Sequence, residues 1–162
     1  MILGMSLALF TKIHVFISIV AIGSGLVVAL ALIGGKMLPR LASLFLVTTV
    51  LTSVTGFFFP FHGMTPGIAI GILSMVLLLV AMIAFYGKHA AGAWRRPFII
   101  TAMIALFFDC LVLVVQSFMK IGPLHALAPT GNEPIVKASQ GLLLVVFVVL
   151  TYLADKKYRP LV

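Results

Sequence analysis

The sequence predicts an all-α integral membrane bundle of five transmembrane helices, with the N-terminus outside and the C-terminus in the cytoplasm. Three observations lead there. Of the 162 residues, 63% are apolar and only 9% are charged, whereas a soluble globular chain is ~45–50% apolar and ~25% charged. Apolar runs of roughly 20 residues, the length needed to cross a ~30 Å hydrocarbon core, recur along the whole chain. The basic residues fall in short stretches between those runs. The ~10-residue alternating segments of a membrane β-barrel do not appear.

Residues 1–13 are an apolar lead with one charge, Lys12. A signal peptide carries its positive charge ahead of the apolar stretch and a small-residue cleavage site behind it. Here the charge comes late and the apolar run continues, so an uncleaved first span is expected over about 14–33. Gly34, Gly35 and the segment 36–40 end it. The second span covers about 41–59 and is closed by Pro60. The third covers about 66–86, with Pro66 suited to a first helical turn. The fourth, about 97–119, opens in the same way on Pro97. The fifth covers about 134–154, with Asn132 or Glu133 as its cap. No linker is long enough to divide the chain, so residues 1–162 read as one membrane domain.

Charge sets the orientation. Lys36, Arg40, Lys88, Arg95, Arg96, Lys156, Lys157 and Arg159 fall on one side, against Lys12, Lys120 and Lys137 on the other. An excess of Lys and Arg marks the cytoplasmic side. Tyr86, Trp94 and Tyr152 lie near that basic side, as an interfacial aromatic belt would. The same rule accounts for the net charge of +8 with no nucleic-acid partner. The single Cys110 excludes an intrachain disulfide and any CxxC pair.

Small residues set where backbones can approach, because close packing replaces the hydrophobic effect between helices in lipid. Ala21, Gly25 and Ala29 form one such stripe, and Gly67 and Gly71, followed by Ser74, form another. Packing within the bundle is the reading preferred over a homodimer seam. Thr48, Thr52 and Thr55 line one face of the second span. Bonding to their own helix carbonyls is the plain explanation, and a polar path through the bundle is the sharper one.

Asp109 lies near the middle of the fourth span, where an ionisable group costs ~2.5–3.5 kcal/mol and should face the bundle interior with a partner. Lys120 is roughly 16 Å along the axis and too far to pair. Desolvation therefore favours the neutral acid, hydrogen-bonded to hydroxyls such as those of the second span. Asp109, Gln116 and Lys120 share a helix face. His14 and Ser18 share one on the first span, and Lys137 and Gln140 share one on the fifth. A Glu133 contact would offset Lys137 at a helix N-terminus.

His14, Asp109, Gln116, Lys120, His125, Glu133, Lys137 and Gln140 thus outline an expected ligand site. It is an outward-opening polar pocket walled by the first, fourth and fifth spans and roofed by the 120–134 loop, whose apolar character would bury the His125 imidazole. The function expected is binding, and in one form transport, of a small molecule or ion. The alternative is an accessory or assembly subunit of a larger membrane complex. The expected partners are the lipid bilayer, a small-molecule or ion ligand, and a second copy or a membrane-complex subunit.

Redox and enzyme readings rank lower. A b-type haem needs two His on facing helices, and only His14 with His125 or His62 offers a pair. Copper could use His62, Met64, Met119, His125 or His14, but they form no compact motif. No nucleophile motif supports an enzyme, although Lys, His and Glu at the outer end could serve as acid, base or anion clamp.

Residues 114–134 (VVQSFMKIGPLHALAPTGNEP), together with residues 53–60, resemble uncharacterised small multi-span bacterial inner-membrane proteins. That resemblance implies bacterial origin and an inner-membrane location, and assigns no catalytic residue. The chain does not resemble the tryptophan-rich five-span sensory proteins, having only Trp94.

Overall fold

The computed structural model describes residues 2–60 and 63–160; His62, one of the expected metal ligands, lies outside them. The chain is all-helical, with α1 (Leu7–Ile33), α2 (Pro39–Gly56), α3 (Pro66–Met82), α4 (Arg95–Lys120), a short α5 (Gly122–Leu127) and α6 (Pro134–Lys157). Four stretches, Leu7–Ile33, Pro66–Gly87, Gly92–Lys120 and Pro134–Lys157, are long and apolar enough to cross a membrane. The 18-residue α2 is the most hydroxyl-rich of the long helices. At 1.5 Å per residue it extends about 27 Å.

Local chemistry sets the boundaries. Helix α1 starts well before the expected first span because Ser6 caps it, its hydroxyl accepting from the Leu9 N–H at 3.3 Å. Lys12 is exposed on the helix surface and interrupts nothing. The helix ends in a Schellman motif, in which Lys36 N–H donates to Ala31 O at 2.8 Å and Gly35 N–H to Leu32 O at 3.0 Å. Gly35 sits at φ +75 there, a conformation glycine adopts without a Cβ penalty. Pro39, Pro66 and Pro134 each occupy a first turn, where the missing N–H costs no helical bond. Thr65 caps α3 through Ile68 N–H at 3.3 Å. A π-helical turn (Ile83–Gly87) ends α3, and a 3-10 turn (Gly92–Trp94) leads into α4. As a result Arg95 and Arg96, expected in a loop, begin the helix.

Consecutive long helices run up and down. His14 near the start of α1 meets Thr55 at the end of α2. Ser43 at the start of α2 bonds Tyr86 at the end of α3, and Arg95 at the start of α4 meets Asp155 at the end of α6. Helix α4 is central, packing against α1, α2, α3 and α6, while α1 packs against α2, α4 and α6. The core between them holds Leu32, Phe45, Leu46, Leu78, Phe98, Ile99 and Leu106. Gly25 permits the closest approach, since a Cβ there would lie 2.6 Å from Leu106 Cδ1 and 2.8 Å from Phe45 Cδ2. The small-residue stripe of α1 is therefore an internal packing face. On α3, Gly71 meets the Phe57 ring whereas a Cβ at Gly67 would touch only the Thr65 hydroxyl, at 3.9 Å. Large apolar side chains such as Leu142, Val145 and Val148 cover the outer surface, as suits a bundle surrounded by hydrocarbon.

Candidate ion-binding site

The two ends of the bundle differ sharply in charge. Lys36, Arg40, Lys88, Arg95, Arg96, Lys156, Lys157 and Arg159 gather at one, and Lys12, Lys120 and Lys137 at the other. Of the chain's three carboxylates, two are engaged by neighbours. Asp155 takes Arg95 at 2.8 Å and Arg96 at 3.3 Å. Glu133 Oε1 accepts from the Thr130 N–H at 2.9 Å and the Thr130 hydroxyl at 2.8 Å, while its Oε2 has no partner among the described residues.

Asp109 is the third. Its Oδ2 is buried without a hydrogen-bond partner among the described residues, as are the hydroxyls of Thr49 and Thr52. Thr49, fully buried at 0% exposure, comes near enough to interact with the carboxyl across the α2–α4 contact. The expected partnership of Asp109 with a hydroxyl of the second helix is thus approached, but it is not closed at normal hydrogen-bond geometry. An unsatisfied carboxyl oxygen in an apolar interior carries a full desolvation penalty. A proton, a water or a small cation between these oxygens would relieve it.

The hydroxyls continue toward the less basic end. Thr49, Thr52 and Thr55 recur at every third position on α2, spanning about 9 Å of helix rise. Thr55 donates to its own Leu51 carbonyl at 2.6 Å, which commits its single hydrogen. Its 2.7 Å contact with His14 Nδ1 therefore makes Thr55 the acceptor and puts the imidazole proton on Nδ1. His14 is half-buried against the edge of the Phe59 ring, and the Lys120 ammonium is close enough for its charge to act on the imidazole. Thr48 bonds its own Leu44 carbonyl at 2.6 Å, the plain behaviour expected of it.

A file of polar side chains thus stands between His14 and Asp109, with Thr55, Thr52 and Thr49 at successive three-residue steps of α2; among the described residues His14–Thr55 is its one closed side-chain link. Comparison with family models, curated proteins and solved structures finds no match. The file's chemistry stands on its own geometry: a carboxyl and hydroxyls can accept and relay protons or ligate a hard cation through oxygen.

The other expected site residues are placed differently. Gln116, Lys120, His125 and Lys137 are exposed, and Gln140 is half-buried on α6. The apolar loop does fold back, as expected, but it buries Ala128 against Phe118 and Val136 and leaves the His125 ring outside. Glu133 precedes α6 without capping it through its side chain. It turns back to Thr130, so the contact expected with Lys137 does not form. The Thr130 N–H, seconded by its hydroxyl, holds the Glu133 carboxyl below the usual carboxylate range. Among the described residues, no three of His, Cys, Asp and Glu gather closely enough to hold a metal.

Thr49 is the residue that sequence reasoning missed. The stripe read along the sequence is Thr48, Thr52 and Thr55; the spacing of three that links Thr49 to Thr52 and Thr55 is the signal that points to it.

Proposed function

We propose that the chain is a five-span protein of a bacterial inner membrane that binds, and passes along α2, a small cation, the proton first among them. Its N-terminus is outside and its C-terminus cytoplasmic. The observation supporting this reading is the Asp109 oxygen beside the Thr49 hydroxyl, with the Thr52 hydroxyl one turn along α2, none of them partnered among the described residues. Two engaged carboxylates and one open carboxylate in the apolar interior is the pattern of a site awaiting a cation. Helix α2 acts as the fifth span, its hydroxyls turned toward α1 and α4, which accounts for its falling outside the four stretches that are apolar enough to span by composition alone. The eight-to-three division of basic residues supports the orientation. His14 is the outer gate of the file: it takes a proton on Nε2 and releases the one on Nδ1 to Thr55, whose own hydroxyl hydrogen leaves the Leu51 carbonyl and passes to Thr52.

The test is proton uptake by proteoliposomes under an imposed pH gradient. Protein-dependent flux lost in Asp109→Asn and reduced in Thr49→Val supports the reading. Equal flux in all three proteins, or none above empty vesicles, favours the assembly-subunit alternative. Single cysteines at Ser6 and Lys157, in a Cys110→Ser background, test the orientation. An impermeant thiol reagent added outside intact cells should label the first and spare the second.

A further inference from the structure

An apolar groove of about 400 Å³ opens on the outer surface between α4 and α6, well away from the Asp109 file. Ile104, Phe107, Leu144 and Val148 line its inner part, and Tyr152 and Asp155 stand at its mouth. The Phe107 and Phe147 rings, 5.7 Å apart edge to face, close its floor. From Leu144 to Asp155 the α6 lining rises about 16 Å, close to one leaflet of a ~30 Å hydrocarbon core.

The mouth lies at the basic end. Arg95 is buried there and committed to Asp155 and to the carbonyls of Asp155 and Tyr158. Arg96 is different: its side chain is 66% exposed and touches Asp155 only through Nε, at 3.3 Å. Its terminal nitrogens make no protein hydrogen bond among the described residues, a planar fork suited to phosphate. Lys156 lies 5.8 Å over the Tyr152 ring, which places its ammonium at the same mouth.

The geometry points to a binding site for an anionic phospholipid, one acyl chain in the α4–α6 groove and the phosphate between Arg96 and Lys156. The groove has the length of a single-leaflet chain, and the one hydroxyl lining it below Asp155, that of Thr151, already donates to the Phe147 carbonyl at 2.7 Å and so offers a headgroup no donor. The uncommitted cations stand only at the interface end, as in basic pockets between membrane helices that hold acidic headgroups. Phosphatidylglycerol satisfies both halves; a soluble phosphate satisfies only the mouth. The site is independent of the Asp109 file.

Native mass spectrometry of the full chain, released from micelles doped with equal phosphatidylglycerol and phosphatidylcholine, tests this. The expected result is preferential retention of phosphatidylglycerol. Arg96→Ala and Lys156→Ala should each weaken that preference about fivefold, while Asp109→Asn leaves it intact. Val148→Trp, which fills the groove, should lower retention with the headgroup cations untouched. Equal retention of the two lipids, or a preference that survives the Arg96→Ala/Lys156→Ala double variant, overturns the proposal. So does thermal stabilisation by glycerol phosphate equal to that by the lipid, which would mean an anion site with no acyl chain.

Discussion

The Arg95 guanidinium at the start of α4 meets the Asp155 carboxylate at the end of α6 at 2.8 Å, and also binds the Asp155 and Tyr158 carbonyls at 2.6 and 3.0 Å. One side chain thereby satisfies a carboxylate and the open carbonyls of a helix C-terminus. Burial pushes the Tyr158 phenol up, against the pull of Arg95, so the tail packs there as a neutral group.

This clamp should dominate the stability of the basic end. Asp155→Ala leaves a buried guanidinium without its counter-charge and should cost about 3 kcal/mol. Arg96→Ala removes an exposed, screened contact and should cost under about 1 kcal/mol. Thermal unfolding of both variants in one detergent reads the difference. Similar losses for the two would mean that Arg95 is not the anchor.

The glycines separate packing from spacing. Gly25→Val places side-chain carbons against Leu106 and the Phe45 ring, an overpacking that should cost about 1–3 kcal/mol. Gly67→Ala meets only the Thr65 hydroxyl at 3.9 Å and should leave both stability and oligomeric state unchanged. If Gly67→Ala dissociates an oligomer on size exclusion, the α3 stripe is a seam between copies.

Much of this architecture is legible along the chain. Proline at three helix starts and Gly34–Gly35 at a helix end are local signals, and a ~20-residue apolar run needs no tertiary information. The start of α1 was displaced because Lys12 resembles a boundary, whereas a long flexible side chain lies easily on a helix surface. The Arg95–Asp155 clamp is invisible because its partners are 60 residues apart and each also reads as an orientation charge. At the site, Asp109 stands out by chemistry alone, an acid in a run of Phe, Leu and Val. Its neighbour Thr49 depends on the rotation of α2 against α4, which only packing decides. His125 was misplaced because the loop buries its small Ala128 and leaves the imidazole outside.

Acid should loosen the 128–134 turn. The Thr130 N–H and hydroxyl hold Glu133 below its ordinary 4.5, so the folded turn favours the ionised carboxylate. Its contribution is complete above 4.5 and is lost as pH falls through the lower folded value. Hydrogen exchange at the Thr130 amide, corrected for intrinsic rate, should show protection at pH 7 that is lost at pH well below 4.5. Glu133→Gln should lose that pH dependence. Protection unchanged by acid in the native chain would contradict the assignment.

The central claim is that Asp109 is an open cation site inside the bundle. Infrared difference spectroscopy of the protein in lipid nanodiscs, stepped in pH, observes that carboxyl directly. The account predicts a carboxylic C=O band that titrates reversibly, disappears in Asp109→Asn and shifts frequency in Thr49→Val. A difference spectrum identical in the native and Asp109→Asn proteins would contradict it.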